Sequence, residues 1–210
     1  KVRAVRIVET SRSLNFMVKS GRQELGRLRI PVTGRHNIKN ALAATCAALE
    51  QGLSFSQIRS AFKQIQLPKR RFERVVAKNG VTVISDYAHH PSEVTALIQT
   101  ARQLKPRRLI AVFQPHRYTR TLALGKDFPK AFTGVDELVL VPVYAASENP
   151  LPGGSVWDLY SHFRTYGKRH ARTAHSQPLI SCASCLQSAW CYLRQELKKG
   201  VVLLIVGAGD

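Results

Sequence analysis

Two short apolar runs, Val81 to Ile84 and Leu109 to Phe113, each end abruptly in a cluster of acid, imidazole or guanidinium groups. The first continues Ser85-Asp86-Tyr87-Ala88-His89-His90-Pro91-Ser92-Glu93, the second Gln114-Pro115-His116-Arg117-Tyr118-Thr119-Arg120. In an open parallel sheet the ligand crevice lies outside the carboxyl ends of the strands, so polar residues just past an apolar run stand where a substrate can touch them. A carboxylate such as Asp86 at that point can accept ribose hydroxyl hydrogens or cap the next helix, whose start at Pro91 offers a partly positive terminus. His89 and His90 are adjacent and point to different sides, so at most one of them faces a substrate. Arg117 and Arg120, three apart at the start of a helical segment, share a face. Two guanidiniums there can bind a carboxylate or phosphate and stabilise negative charge that develops during reaction.

Three further residues join these candidates. Asn37 and Asn40 are three apart on one helix; Asn37 also suits a cap, whereas an amide at Asn40, inside an Ala-rich helix, has no conformational reason to be there and suits a purine edge or an orienting backbone contact. Arg71 lies at the expected junction between two parts of the chain, where an arginine can close on a nucleotide. No G-x-x-x-x-G-K-[ST] loop is present, and Gly207-Ala208-Gly209 is an incomplete Gly-rich turn, so these residues cannot cradle a triphosphate by a Walker loop.

The elements that must position these groups follow from periodicity. Apolar stretches Val2 to Val8, Leu14 to Val18 and Leu25 to Val32 read as a β meander. Helices are expected over Asn37 to Leu49 and from Ser54 or Ser56 through Ile65, stopped by Leu67-Pro68, the two forming an all-helical subunit. From Phe72 the pattern becomes strand and helix in turn. Val75 to Ala77 and Val81 to Ile84 flank the hairpin dipeptide Asn79-Gly80; helices cover Pro91 to Leu104, Leu122 to Phe132 with an interruption near Pro129, Ser155 to Tyr166 and Ile180 to Leu197. Strands are Leu109 to Phe113, Glu137 to Val143 and Val201 to Val206. This alternation implies an α/β fold with a doubly wound, mostly parallel sheet, and a boundary near Leu67 to Arg71 that separates residues 1–68 from 69–210.

The chain has 32 Lys and Arg against 13 Asp and Glu, a net charge of +19, with 44% hydrophobic residues. It has enough apolar residues to bury a core, and a field of that sign concentrates polyanions. The cations are spread (Arg22, Arg27, Arg29, Lys69-Arg70-Arg71, Arg107-Arg108, Lys198-Lys199) and no aromatic-interleaved RNA-binding signature appears, so most are expected on a solvated surface. A basic nucleic-acid-binding α/β module is the alternative reading. Cys182 and Cys185 have C-x-x-C spacing without a second pair, which favours ordinary packing of reduced thiols over a metal site. The absence of an initial Met and the stop just after Gly207-Ala208-Gly209 suggest a fragment cut at both ends. No apolar run is long enough for a membrane span or signal segment, so the expectation is a soluble cytoplasmic protein.

Four blocks together, Gly34 to Ala44 (GRHNIKNALAA), Lys69 to Glu73 (KRRFE), Asp86 to Glu93 (DYAHHPSE) and Phe113 to Thr121 (FQPHRYTRT), resemble the Mur ligases, and within them the branch that couples L-alanine to UDP-N-acetylmuramate. The resemblance spans essentially all 210 residues. It implies a Rossmann-like C-terminal domain preceded by the β/α tail of the central ATPase domain, from a bacterial cytoplasmic enzyme of peptidoglycan synthesis. The implied reaction is attack of the alanine amine on an acyl phosphate made from ATP, with Mg2+ neutralising phosphate charge and its ligands mostly outside this stretch. Asn37, Asn40, Arg71 and Asp86 would then approach ATP, the two amides near the base and Asp86 near the ribose. Tyr87, His89, Arg117 and Arg120 would face the amino acid and the acyl phosphate, with His89, Arg117 and Arg120 catalytic. Without the phosphate loop and the uridine-nucleotide domain the fragment would be inactive alone. The chain departs from the usual family pattern at Ser85 (usually Asp), at Ala88 (usually Gly), and at Tyr144 to Glu148, where Tyr-Ala-Ala-Ser-Glu replaces Tyr-Pro-Ala-Gly-Glu. A folate polyglutamate ligase of the same superfamily is disfavoured by the Gln114 to Arg117 block.

Overall fold

The computed structural model describes residues 1–10, 13–65, 68–169 and 178–209, and the chain forms two units, Lys1–Lys69 and Arg70–Asp210. Leu67, expected at the boundary, lies outside the described residues, as does Asp210.

In the first unit β1 (Val2–Glu9), β2 (Leu14–Ser20) and β3 (Gln23–Ile30) form an antiparallel meander. Leu14, Phe16 and Val18 alternate along β2, and Leu28 and Ile30 along β3, so one face is apolar. Onto it pack Ile38 and Ala41 of α1 (His36–Glu50) and Ile58 and Phe62 of α2 (Phe55–Lys63). The expected all-helical subunit is therefore corrected. Each helix carries only a narrow buried stripe, and the face of the meander, too apolar to stand in water, is what covers it. Of the two candidate capping serines it is Ser54 that caps α2: Gln57 N donates to its hydroxyl at 3.4 Å, and Ser54 N donates to the Gln57 side chain at 2.9 Å.

Gly26 seats α2 against β3. Its φ is +142°, and a Cβ there would stand 2.8 Å from the Phe55 ring. Gly26→Ala therefore combines backbone strain with a steric clash, and is expected to cost the first unit about 1–3 kcal/mol, read as a lower denaturant midpoint at unchanged m-value.

The second unit is a six-stranded sheet in the order β4-β5-β9-β6-β7-β8. Its strands are β4 (Glu73–Lys78), β5 (Val81–Asp86), β6 (Arg108–Gln114), β7 (Glu137–Leu140), β8 (Leu179–Cys182) and β9 (Val201–Gly207). β4 and β5 are antiparallel across the Asn79-Gly80 turn, both of whose residues have positive φ, and the other pairs are parallel. Helices α3 (Pro91–Arg102), α4 (Tyr118–Leu124), α5 (Phe128–Ala131) and α6 (Val156–Arg169) precede α7 (Leu186–Glu196). Residues of α3, α5 and α6 share a core with one face of the sheet, with Phe113 in ring contact with Phe128 and Phe132. Ala189 and Leu193 of α7 cover the other face. The sheet is thus wound on both sides.

Three sequence expectations change. Residues 180–197 are not one helix: β8 forms first, paired with β7, and α7 starts only after Cys185, whose sulfur accepts the Ser188 N–H at 3.4 Å. A four-residue strand such as Leu179 to Cys182 cannot be told from a helical turn by periodicity, and pairing with β7 decides it. The segment 122–132 begins its helix earlier, at Tyr118, and breaks at Gly125 to Asp127, because Pro129 fits the first turn of α5, where no N–H is needed. The strand expected to run to Val143 ends at Leu140.

Glu137 is 1% exposed at the start of β7. Arg108 donates to it and to Glu196, and the Tyr192 hydroxyl donates to its other oxygen. The hydrogen bond to Glu137, with burial, pushes the Tyr192 phenol up to about 12. Among the described residues no helix is long and apolar enough to cross a membrane.

Candidate active site at the carboxyl ends of the parallel strands

β9 lies between β5 and β6, with Asp86 opposite Val206 and Gln114 opposite Gly207. The two motif loops therefore leave the sheet on either side of one strand end. At that end a Cβ on Gly209 would fall 2.2 Å from Gln114 Oε1, and one on Gly207, at φ +145°, 2.6 Å from Gln114 O. The incomplete Gly-rich turn thus serves close packing against the second motif.

The Asp86 carboxylate ties the first loop down. Its Oδ2 accepts from Phe72 N at 2.7 Å and its Oδ1 from Ala88 N at 2.8 Å, while Tyr87 N donates to Arg70 O at 2.7 Å. Arg70 in turn donates to the carbonyls of Gly207 and Gly209, so the turn at residues 70–72 is laced to both strand ends. This leaves Arg71 exposed, its guanidinium carbon 6.0 Å from the Tyr87 ring centre. Asp86 is not the cap of α3; that role falls to His90, whose Nδ1 accepts from Ser92 N at 3.3 Å.

His89 is the imidazole left for the site. Its Nδ1 lies 3.0 Å from the Tyr87 carbonyl and 3.5 Å from Glu93 Oε2, two acceptors, so the tautomer of the neutral ring has its proton on Nδ1 and its lone pair on Nε2. Glu93 is fixed as the partner: burial pushes its carboxyl up, but N–H donation from His89 and His90 and the charges of His89 and Arg71 hold it below the usual value.

In the second loop His116 pairs with Tyr144, and the two rings stack at 5.5 Å. Arg120 Nη1 donates to His116 Nδ1 at 2.9 Å. Arg117 stands at the N-cap of α4 with φ +72°, its N–H on the Tyr144 carbonyl at 2.8 Å. Helical spacing therefore does not relate Arg117 to Arg120: Arg117 precedes the helix in a strained turn, and backbone strain of this kind concentrates at functional sites. The Arg117 side chain is half exposed, 4.0 Å from Glu148. Glu148 accepts from Thr119 Oγ1 at 2.7 Å and Thr119 N at 3.1 Å, which lowers its pKa.

The two loops meet through their rings. Tyr87 and His89 are 5.6 Å apart edge to face, His89 and His116 6.0 Å apart, and His116 and Tyr144 continue the row. Tyr87, His89, Arg117, Arg120 and Arg71 thus border one rim. Asn37 and Asn40 belong to the first unit, where Asn37 Nδ2 donates to Thr33 O at 2.7 Å and Asn40 Nδ2 to Asn37 Oδ1 at 3.2 Å. Asn37 is in the first turn of α1, not its cap. Sequence reasoning gave no role to Arg70 or His116 and took Tyr144 and Glu148 only as parts of a block that departs from the family pattern. His116 stands inside a motif and was visible; Tyr144 and Glu148 come from a distant loop that the resemblance marks and periodicity does not.

Burial first, then the charges of Arg120, His89 and Arg117, lower the pKa of His116. Below about pH 6.5 an unfolded histidine takes up a proton that the folded site resists. Stability is therefore intact above that value and falls as pH drops through the depressed folded pKa. His116→Gln is expected to flatten this part of the stability curve, measured by urea unfolding between pH 7 and 5.

Ser147 has φ +68°, a conformation that glycine adopts without strain. Its place in the Tyr144 to Glu148 loop is where the resemblance leads one to expect glycine. Ser147→Gly is expected to raise stability by about 0.5–1 kcal/mol, read as a higher melting temperature.

Among the described residues no group of three or more His, Cys, Asp or Glu could hold a metal ion. Cys182 packs against the core and Cys185 caps α7.

The sequence model of the family described as "Mur ligase, glutamate ligase domain" matches residues 70–209, the whole described part of the second unit. The chain belongs to the Mur ligase family. It is 39% identical over 210 residues to a Desulfosudis oleivorans protein named UDP-N-acetylmuramate–L-alanine ligase, covering all of this chain and 44% of that one. A Carboxydothermus hydrogenoformans protein of the same name is 39% identical over 185 residues, 88% of this chain and 38% of its own length. Among solved Mur ligase structures, the UDP-N-acetylmuramate-alanine ligase of Thermotoga maritima superposes with a TM-score of 0.72 at 24% identity, covering 100% of this chain and 43% of that one. Folylpolyglutamate synthase of Mycobacterium tuberculosis, solved with ADP, shares the fold at TM-score 0.68 and 18% identity, over 99% of this chain and 45% of its own. The chain thus spans less than half the length of these relatives.

Proposed function

We propose that the chain is part of an ATP-dependent ligase that joins L-alanine to the carboxylate of UDP-N-acetylmuramate. Residues 1–68 are the end of its central ATP-binding domain, and residues 69–210 the C-terminal domain that receives the amino acid. The observation that carries this reading is the 6.0 Å contact between His89 and His116, which sets one motif's imidazole beside the ring that Arg120 of the other motif contacts.

In this reading the alanine ammonium gives a proton to His89 Nε2, the ring being held in the required tautomer by the Tyr87 carbonyl and Glu93. The freed amine forms a bond to the acyl carbon of the acyl phosphate, and negative charge gathers on the acyl oxygen while the phosphate is still attached. Arg117 and Arg120 stabilise that charge and the departing phosphate. The carbon–oxygen bond to phosphate then breaks and the second proton of the attacking nitrogen leaves with the departing phosphate, giving an amide and inorganic phosphate. Arg71 and Asp86, with Asn37 and Asn40, are assigned to ATP. Mg2+ would neutralise nucleotide phosphates, but the described residues offer no cluster of donors for it, and none of these steps runs through the metal.

The test is phosphate release from ATP by the protein extended to the length of its relatives. Release is expected only with UDP-N-acetylmuramate and L-alanine together, and none from residues 1–210 alone. Turnover with another amino acid and no response to L-alanine, or with a folate substrate, would overturn the assignment. Salt-sensitive binding to random DNA that outweighs any response to ATP would instead favour a nucleic-acid module.

A further inference from the structure

The first unit holds a surface cavity of about 390 Å³ that the proposed reaction does not use. Among the described residues five cations border it, Arg6, Arg27, Arg29, Arg59 and Lys63, and no acid does.

Three elements bring these charges together. Arg27 and Arg29 are two apart on β3 and share the face opposite the buried Leu28 and Ile30. Arg59 and Lys63 are four apart on α2, one turn from each other on one side of the helix. β3 is an edge strand of the meander, and the two basic rows border the same hollow. Arg6 enters through an irregularity: β1 loses register with β2 between Val5 and Val8, and Arg6 there has φ +51°. Bulges re-aim a side chain, and this one delivers a fifth cation.

Arg6 reaches Glu24 at 3.7 Å, but that carboxylate is already held by Lys19 at 2.9 Å. Among the described residues, Arg27, Arg29, Arg59 and Lys63 form no ion pair with any acid. Like charges converging without a counter-ion repel one another, and an anion in the hollow relieves this.

We propose that this cavity binds a small anion carrying two or three linked phosphates. Cations from three elements around 390 Å³ exceed what one phosphate can touch, and the volume is that of a small-molecule site. Arginine forks pair bidentately with phosphate oxygens, and four of the five cations are arginines. Among the described residues the one ring at the cavity, Phe16, is 1% exposed, so these residues offer no platform on which nucleic-acid bases could stack. The site also accounts for part of the excess positive charge, for which the ligase reaction gives no reason.

The test is calorimetric titration of the 210-residue chain at fixed ionic strength with inorganic pyrophosphate, triphosphate, ADP and AMP. R29Q/R59Q is compared with K78Q/K130Q, which removes the same charge from exposed positions elsewhere. Saturable one-to-one binding of pyrophosphate is expected, weakened about tenfold or more by R29Q/R59Q and by less than about twofold in the control pair. R29Q and K63Q singly should give smaller losses in the same direction. All these side chains are exposed, so the fold survives their replacement. AMP should bind about tenfold more weakly than pyrophosphate, having one phosphate to offer. Affinity for ADP equal to that for pyrophosphate identifies the linked phosphates alone as the ligand; tighter ADP binding that is lost in R29Q/R59Q assigns the site to nucleoside diphosphates. Absence of saturation at millimolar pyrophosphate, equal losses in the two double variants, or AMP binding as well as pyrophosphate would overturn the proposal. None of these readouts involves alanine or UDP-N-acetylmuramate, so the ligase assignment can fail or stand independently.

Discussion

Arg117→Ala in the full-length ligase is expected to slow single-turnover amide formation by about 10²–10³-fold, leaving the KM for ATP near its original value. The residue stands on a strained backbone at the mouth of the site, half exposed and with Glu148 only at 4.0 Å. Its charge is therefore available to an incoming anion instead of being committed to the fold. In the proposed reaction negative charge reaches the acyl oxygen only as the amine attacks, so losing Arg117 falls on the chemical step. Arg117→Lys keeps the charge and loses the bidentate fork, and should recover only part of the rate. A rise in the KM for ATP with unchanged kcat would place Arg117 on the nucleotide instead.

The second large effect concerns stability. Arg108→Met removes the cation from the buried Glu137 and leaves that carboxylate with Tyr192 as its remaining partner in the network. A buried charge stripped of its counter-ion costs about 3–5 kcal/mol. In a protein of this size that lowers the melting temperature by roughly 2–4 °C per kcal/mol. Glu137→Gln should cost less, about 1–3 kcal/mol, because Arg108 keeps Glu196 and is partly exposed to water. Thermal unfolding of both variants checks the asymmetry, and equal or reversed losses would contradict the burial argument.

Much of this arrangement was legible because parallel strands buried on both faces are continuous apolar runs, and the polar residues that follow them must lie at the sheet's rim. Val81 to Ile84 with Asp86 and His89, and Leu109 to Phe113 with Arg117 and Arg120, are of this kind. β8 was not legible: its four residues continue smoothly into the apolar positions Ala189 and Leu193, and only the edge of β7 makes a strand of them. The reason first assigned to the arginine pair also fails, since Arg117 lies outside the helix whose spacing was invoked. Tyr144 and Glu148 reach the site from a distant loop, through the His116–Tyr144 bridge, which hydrophobic periodicity does not announce although the family resemblance marks the block. The cation cavity was invisible for a similar reason: Arg6, Arg29 and Lys63 look dispersed along the chain and converge only when a bulge, a strand face and a docked helix are assembled.

The account depends on the two motif loops acting as one site. A double-mutant cycle in the full-length ligase tests this most directly, using His89→Gln and Arg120→Ala with single-turnover amide formation as the readout. Since His89 and Arg120 both meet His116, the double variant is expected to be little slower than the worse single variant. Losses that multiply, each residue contributing its full factor in the absence of the other, would contradict it.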